Sequence, residues 1–216
     1  MEKAVQMVKQ YAENIFVEKK SKFISYITPA YTEQEAVDFI HSIKKKHYDA
    51  SHNCSAFIIG DEGNIQRSSD DGEPAGTAGI PILEVLRKES LTNTAVVVTR
   101  YFGGTMLGAG GLIRAYTQGC ADAVKAAGIM RLQPYSSYEI TIDYNMLSKI
   151  QHEIVKKEYL IADTQYSDIV ILKMLVMPAH CEAFQEDIIQ WTNANALIEY
   201  TGIETLKVDE LTGKII

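Results

Sequence analysis

The sequence predicts an α+β protein in two domains, and three observations predict it. Apolar and polar residues alternate with period two in several short stretches. Other stretches carry helical apolar stripes with cap residues ahead of them. Charge also changes along the chain. Residues 1–134 hold 15 Lys+Arg and 15 Asp+Glu, whereas residues 135–216 hold 6 and 13, which accounts for the net charge of −7. Domains are therefore expected at 1–134 and 135–216.

In the first domain, strands are expected near Asn14–Lys19, Lys22–Thr28 and His52–Ile59, with a turn at "GDEGN" and a short strand after it. Thr32 and Glu35 form a capping box. The helix they start would bury Ala36, Phe39, Ile40 and Ile43. Thr77 is expected to cap a second helix carrying Ile82, Val85 and Leu86. "TAVVVT" reads as a buried strand ending at Arg100. A long helix to about Ala127 follows, with Ala115, Gly119 and Ala123 small enough to let it lie close to a sheet. "RLQPYSS" reads as the interdomain linker, closed by Pro134.

In the second domain, "YEITIDY" puts Tyr138, Ile140, Ile142 and Tyr144 on one face of a half-buried strand. Asn145 is placed to cap a helix with the stripe Leu147, Ile150, Ile154. A strand is expected at Leu160–Tyr166, and "IVILKMLVM" reads as a central one. Pro178 opens a helix with the stripe Cys181, Phe184, Ile188, Trp191. A last strand spans Leu197–Val208. The order β-α-β-β-α-β is the ferredoxin-like split.

Composition excludes several classes. No apolar run approaches the ~20 residues that span a bilayer. The stretch "MEKAVQMVKQYAENIF" lacks a signal peptide's apolar core, so the cytosol is the expected compartment. Cys54, Cys120 and Cys181 are odd in number and far apart, which predicts neither a disulfide framework nor a zinc site. The acidic second half repels a phosphate backbone, so a polyanion would meet the first. That half carries Lys19, Lys20, Lys22 and the run Lys44, Lys45, Lys46, which also fits a solvated helix end.

Three constellations remain. In "TRYFGGTMLGAGGLIRAY", five glycines fall within nine residues between a strand and a helix, flanked by Arg100 and Arg114. A helix start offers free N–H groups, and glycines let a ligand reach them. Arg100, Gly103, Gly104, Gly108, Gly110, Gly111 and Arg114 are thus candidates for an anion site. The same glycines also suit turn geometry and close packing. Neither a phosphate loop nor a dinucleotide fingerprint fits, and the sequence predicts no cofactor. In "SSDDGEPAGTAGIPIL", Asp70, Asp71 and Glu73 form an accessory acidic loop. These carboxylates suit pairing with the arginines or capping better than holding Mg²⁺, because no histidine stands at ligand spacing. In "ASHNCSAF", His52 and Cys54 share a strand face, yet ~7 Å separates such neighbours, too far for a nucleophile and its base. His52 and Thr77 are possible ligand contacts.

"SDDGEPAGTAGIPIL" and "VVVTRYFGGTMLGAGGLIRAY", with "KSKFISYI" and "DASHNCSAF", closely resemble the signature of the IMPACT family. The resemblance covers essentially the whole chain. It implies a first domain similar to the second domain of a small-subunit ribosomal protein and to domain IV of elongation factor G. It implies a second domain like domain V of that factor. It also implies contact with ribosomes or RNA. Eukaryotic members regulate translation by competing for the activator of an amino-acid-starvation kinase. They use an extra RWD domain absent from this sequence, so that partner is not expected here. The family's shared surface maps onto Asp70, Asp71, Glu73, Arg100, Gly103, Gly104, Gly110, Gly111 and Arg114.

The expected function is a translation-linked binding protein, holding RNA, the ribosome or another phosphate-bearing ligand at the glycine loop. The alternative is an enzyme acting on a phosphorylated or anionic small molecule, with Mg²⁺ held by the acidic loop. No residue is assigned a catalytic role.

Overall fold

A computed structural model describes residues 5–216. The chain forms two compact units, one running to Arg131 and including Val208–Ile216, the other spanning Leu132–Lys207.

The first unit opens with strand β1 (Val5–Val8). It continues with β2 (Ala12–Glu18), β3 (Ser21–Pro29), helix α1 (Glu33–Lys46), β4 (His52–Ile59) and β5 (Ile65–Ser69). Helix α2 (Gly79–Lys88), β6 (Thr94–Tyr101) and α3 (Ala109–Ala127) complete it. Five strands form one sheet in the order β2-β3-β6-β4-β5, antiparallel at every pairing. Strand β6 lies at the centre with helices on both sides. Ala95 and Val97 pack with Ile40 and Ile43 of α1, whereas Val96 and Val98 pack with Ile82 and Ala123 of α2 and α3. Burial on both faces is why this strand is a continuous apolar run.

Thr32 accepts a hydrogen bond from the N–H of Glu35 at 3.1 Å, as the capping box requires. The return bond differs: Glu35 accepts from Tyr31 N–H, one residue outside the cap. Helix α3 lies close to the sheet as expected. A Cβ at Gly119 would stand 2.7 Å from Ser25 Oγ of β3.

The second unit contains most of β7 (Ile129–Ile142), then α4 (Tyr144–Lys157), β8 (Leu160–Tyr166), β9 (Val170–Val176), α5 (Cys181–Thr192) and most of β10 (Leu197–Asp209). Strand β9 pairs with both β7 and β8, and β10 pairs with β7. The order β10-β7-β9-β8 is ferredoxin-like. Tyr138, Ile140 and Ile142 pack with Ile150, Ile154, Phe184, Ile188 and Trp191.

Three expectations are corrected. The stretch read as a linker is part of β7. Pro134 is tolerated because pairing with β9 begins only at Ser136, so its missing N–H forfeits no bond to that neighbour. Helix α4 starts at Tyr144 behind Asp143, two residues earlier than an Asn145 cap allows. Residues Val208–Ile216 belong with the first unit, not the second. Asp209 forms an ion pair with Lys9, and the N–H of Glu210 donates to Ile129 C=O at 3.1 Å. The hydrogen bond from Lys9, with those of Thr212, holds the Asp209 carboxyl down at about 2.

Candidate functional site

Register gathers the singled-out residues at one end of the first unit's sheet. Arg100 stands opposite His52 on one side and Phe23 on the other, and Lys22 stands opposite Tyr101. Strand β5 leads from this end into the acidic loop, and β6 leads into the glycine loop. Helices α2 and α3 both start here.

The acidic loop faces inward. Asp70 caps α2: its Oδ1 accepts from Ala78 and Gly79 N–H at 3.0 and 2.8 Å, and its Oδ2 from Gly76 N–H at 2.8 Å. Burial alone would raise the Asp70 carboxyl. The bonds from Gly76, Gly79 and Ala78 outweigh it and hold the group below its ordinary value. Thr77 is not the cap, because its hydroxyl donates to Pro74 C=O at 2.6 Å. Asp71 accepts from Lys44 and from Asn53 N–H, each at 2.6 Å. Glu73 Oε1 accepts from Arg100 Nη1 at 2.7 Å and from Tyr116 O–H at 2.8 Å. Each carboxylate thus has its own internal partners. Among the described residues, no group of three or more His, Cys, Asp and Glu is placed to hold a metal ion.

Arg100 is therefore a framework residue, not a rim residue. Only 5% of it is exposed. Its Nη2 donates to Ser21 Oγ at 3.3 Å, and its guanidinium lies 5.6 Å from the Phe23 ring and 5.5 Å from the Phe102 ring. Its Nε is buried without a hydrogen-bond partner. The reason is period two: Arg100 continues the Val96–Val98 face of β6, which points to α2 and α3. Arg114 differs. It is exposed on the first turns of α3 and belongs to no ion pair among the described residues.

His52 is half-buried. Its Nδ1 meets Asp71 C=O at 2.9 Å, so Nδ1 carries the proton, and Nε2 lies 3.9 Å from Glu73 Oε2. Cys54 is fully buried and donates to Asp70 C=O, and burial pushes its thiol up to about 12.

The glycines separate by cause. A Cβ at Gly103 would lie 2.0 Å from the Lys20 backbone, so the loop is pressed against the β2–β3 turn. The N–H of Gly103 donates to Ser21 Oγ at 3.2 Å, the oxygen that also meets Arg100. Gly111 packs against Leu107, where a Cβ would come within 3.0 Å. Gly108 precedes α3 at φ 71°, ψ 165°, a conformation that is essentially glycine's alone. Gly104 also has a positive φ, with open space around it. Gly110 has neither cause: a Cβ there would meet only Arg114 Nη1, at an ordinary 3.6 Å. Helix α3 has no side-chain cap, and its first helical bond runs from Leu112 N–H to Gly108 C=O. Ahead of that bond lie the N–H groups of Ala109, Gly110 and Gly111, and Ala109 and Gly110 are exposed.

Sequence reasoning missed Tyr116, Ser21 and Phe102. Tyr116 carried a signal, since it extends the Leu112–Ala115–Gly119 stripe of α3. Ser21 and Phe102 carried none.

Two family models match the chain, one in each unit. Residues 19–124 match the Impact N-terminal domain, and residues 140–195 match a domain of unknown function, DUF1949. The chain is 43% identical to the IMPACT family member YvyE of Bacillus subtilis, over 89% of this chain and 88% of that protein. It is 34% identical to the IMPACT family member YigZ of Escherichia coli, over 77% of this chain and 82% of that protein. The Protein IMPACT homolog of Schizosaccharomyces pombe is 37% identical over 42% of this chain and 33% of its own length. A crystal structure described only as that of a hypothetical protein superposes with a TM-score of 0.58 at 29% identity, covering 92% of this chain and 97% of the other. The chain belongs to the IMPACT family. No helix among the described residues is long and apolar enough to cross a membrane.

Proposed function

We propose that this protein is a translation-linked, cytosolic binding protein whose first unit holds RNA, the ribosome or another phosphate-bearing ligand at the open start of α3. Gly103, Gly104, Gly108 and Gly111 shape the loop, Gly110 clears the approach, and Arg114 supplies charge. The observation that carries this reading is Gly110. Glycine in the middle of a helix costs roughly 0.5–1 kcal/mol relative to alanine, and nothing among the described residues requires it at this second position of α3. A close approach from outside explains it. The uncapped N–H groups and the helix dipole favour an anion at that spot. The link to translation rests on family membership, because the eukaryotic members that the sequence resembles regulate translation.

Co-sedimentation of the full chain with ribosomes and with total RNA tests this, at low and high salt, beside Arg114→Glu. Binding should fall steeply with salt, since phosphate contacts release counterions. It should be lost in the variant. Absence of binding at every salt concentration would overturn the reading.

A further inference from the structure

We propose that the ligand of this site is an unpaired stretch of RNA, one of whose bases stacks on the exposed ring of Phe102. The proposal rests on the anion-site reading above and adds the part of the ligand that phosphate does not supply.

Phe102 is 51% exposed and opens the glycine loop. A lone exposed phenylalanine would ordinarily fold back onto the surface. This one is pinned. Its backbone is held by its N–H donating to Ser51 Oγ at 3.1 Å, and its ring is held by the Arg100 guanidinium, 5.5 Å from the ring centroid. That guanidinium is itself fixed, by Glu73, by Ser21 and by the Phe23 ring 5.6 Å away. The Arg100 guanidinium thus lies within cation–π reach of both the buried Phe23 ring and the exposed Phe102 ring. A flat partner that joins the Phe102 ring loses little order in the protein, because the platform is already set.

Charge around the ring is polarised outward. Lys19 and Lys20 form the β2–β3 turn against Gly103, with φ of 45° and 68°. Lys22 stands opposite Tyr101 in register, and Arg114 lies exposed on the first turns of α3. Among the described residues, none of these four makes an ion pair. The acids of this end point inward to Gly76, Ala78, Gly79, Lys44, Asn53 and Arg100. Glu18 flanks the turn, and Asp49 is held by Tyr101 O–H. A free aromatic face among unpaired cations is the pattern that tracks a single strand, with bases on the ring and phosphates on the cations. A duplex hides its bases in its own stack, and free phosphate has nothing to lay on a ring.

Anisotropy of labelled RNA with the full chain tests this. The probes are a short single strand of mixed sequence, the same RNA as a duplex, and inorganic polyphosphate. The single strand should bind tightest. Phe102→Ala should weaken it roughly ten- to hundredfold, the worth of one base–aromatic stack, and leave polyphosphate binding unchanged. Phe102→Trp should keep the affinity. Its emission, read against the native Trp191, should be quenched by RNA and not by polyphosphate. Equal RNA binding by Phe102→Ala, an unquenched tryptophan, or equal binding of duplex and single strand would overturn base stacking while the anion site stands. Loss of both polyphosphate and RNA binding in the unsubstituted protein would overturn both readings.

Discussion

Helices α2 and α3 start at the same end of one sheet, yet they end their N–H groups in opposite ways. Helix α2 is closed by an internal anion, the Asp70 carboxylate, which takes three backbone donors. Helix α3 has no side-chain cap, exposed residues at Ala109 and Gly110, and a glycine at 110 where alanine would fit. The same electrostatic demand is met from inside the chain at one helix and left unmet at the other. Under the proposed reading, the start of α2 is framework and the start of α3 is the surface for a guest.

The largest break in this comparison is Arg100→Glu. It sets two carboxylates against each other in a buried site, and removing one partner of a buried pair costs about 3–5 kcal/mol. The chain should lose its cooperative urea transition or show a midpoint far below that of the unsubstituted protein. A variant that folds normally and merely loses ligand would place Arg100 back on the rim.

Asp70→Ala should cost about 1–2 kcal/mol by uncapping α2. The acid dependence follows from the lowered Asp70 carboxyl. Its contribution is fully present above the ordinary carboxylate value and is lost as pH falls through the lower folded value. Denaturation curves of the unsubstituted protein and Asp70→Ala should therefore converge toward low pH. Curves that stay parallel would show that the cap does not act through its charge.

The smallest effect is the sharpest. Ala109→Asp gives α3 the kind of internal anion that α2 has. It should raise stability by about 0.3–1 kcal/mol and weaken RNA or polyphosphate binding in the same variant. Opposite signs in a thermal melt and a binding titration would support an open helix start as the guest's seat. Gains or losses in both together would not.

Much of the fold was legible in the sequence, because period-two and period-3.6 patterns report faces that are buried along their whole length. The strand ending at Arg100, the close packing of α3 at Gly119 and the ferredoxin-like order of the second unit were all read this way. The site was legible only in part. Pairing of the acidic loop with an arginine was expected, and Glu73 meets Arg100. Thr77 was chosen as the cap of α2 because a cap is sought next to its helix. The actual cap, Asp70, arrives from eight residues before Ala78, across a turn whose path no local pattern states. Arg100 and Arg114 looked alike as flanking charges. Their fates diverge through tertiary register: one continues a buried strand face and the other stands exposed on the first turns of α3. Phe102 could not be distinguished from a core aromatic until Arg100 was placed beneath it.

The tie between Lys9 and Asp209 makes the second unit, in chain terms, an insertion. The first unit begins at one end of the described residues and is finished by Val208–Ile216 at the other. During synthesis, units normally fold in the order in which they emerge. Here the earlier one lacks a fastening until the later one has been made in full. A fragment stopped at Arg131 would carry the glycine loop and the acidic loop without that clasp. The second unit therefore sits between two parts of one clasp, not as a tail after it.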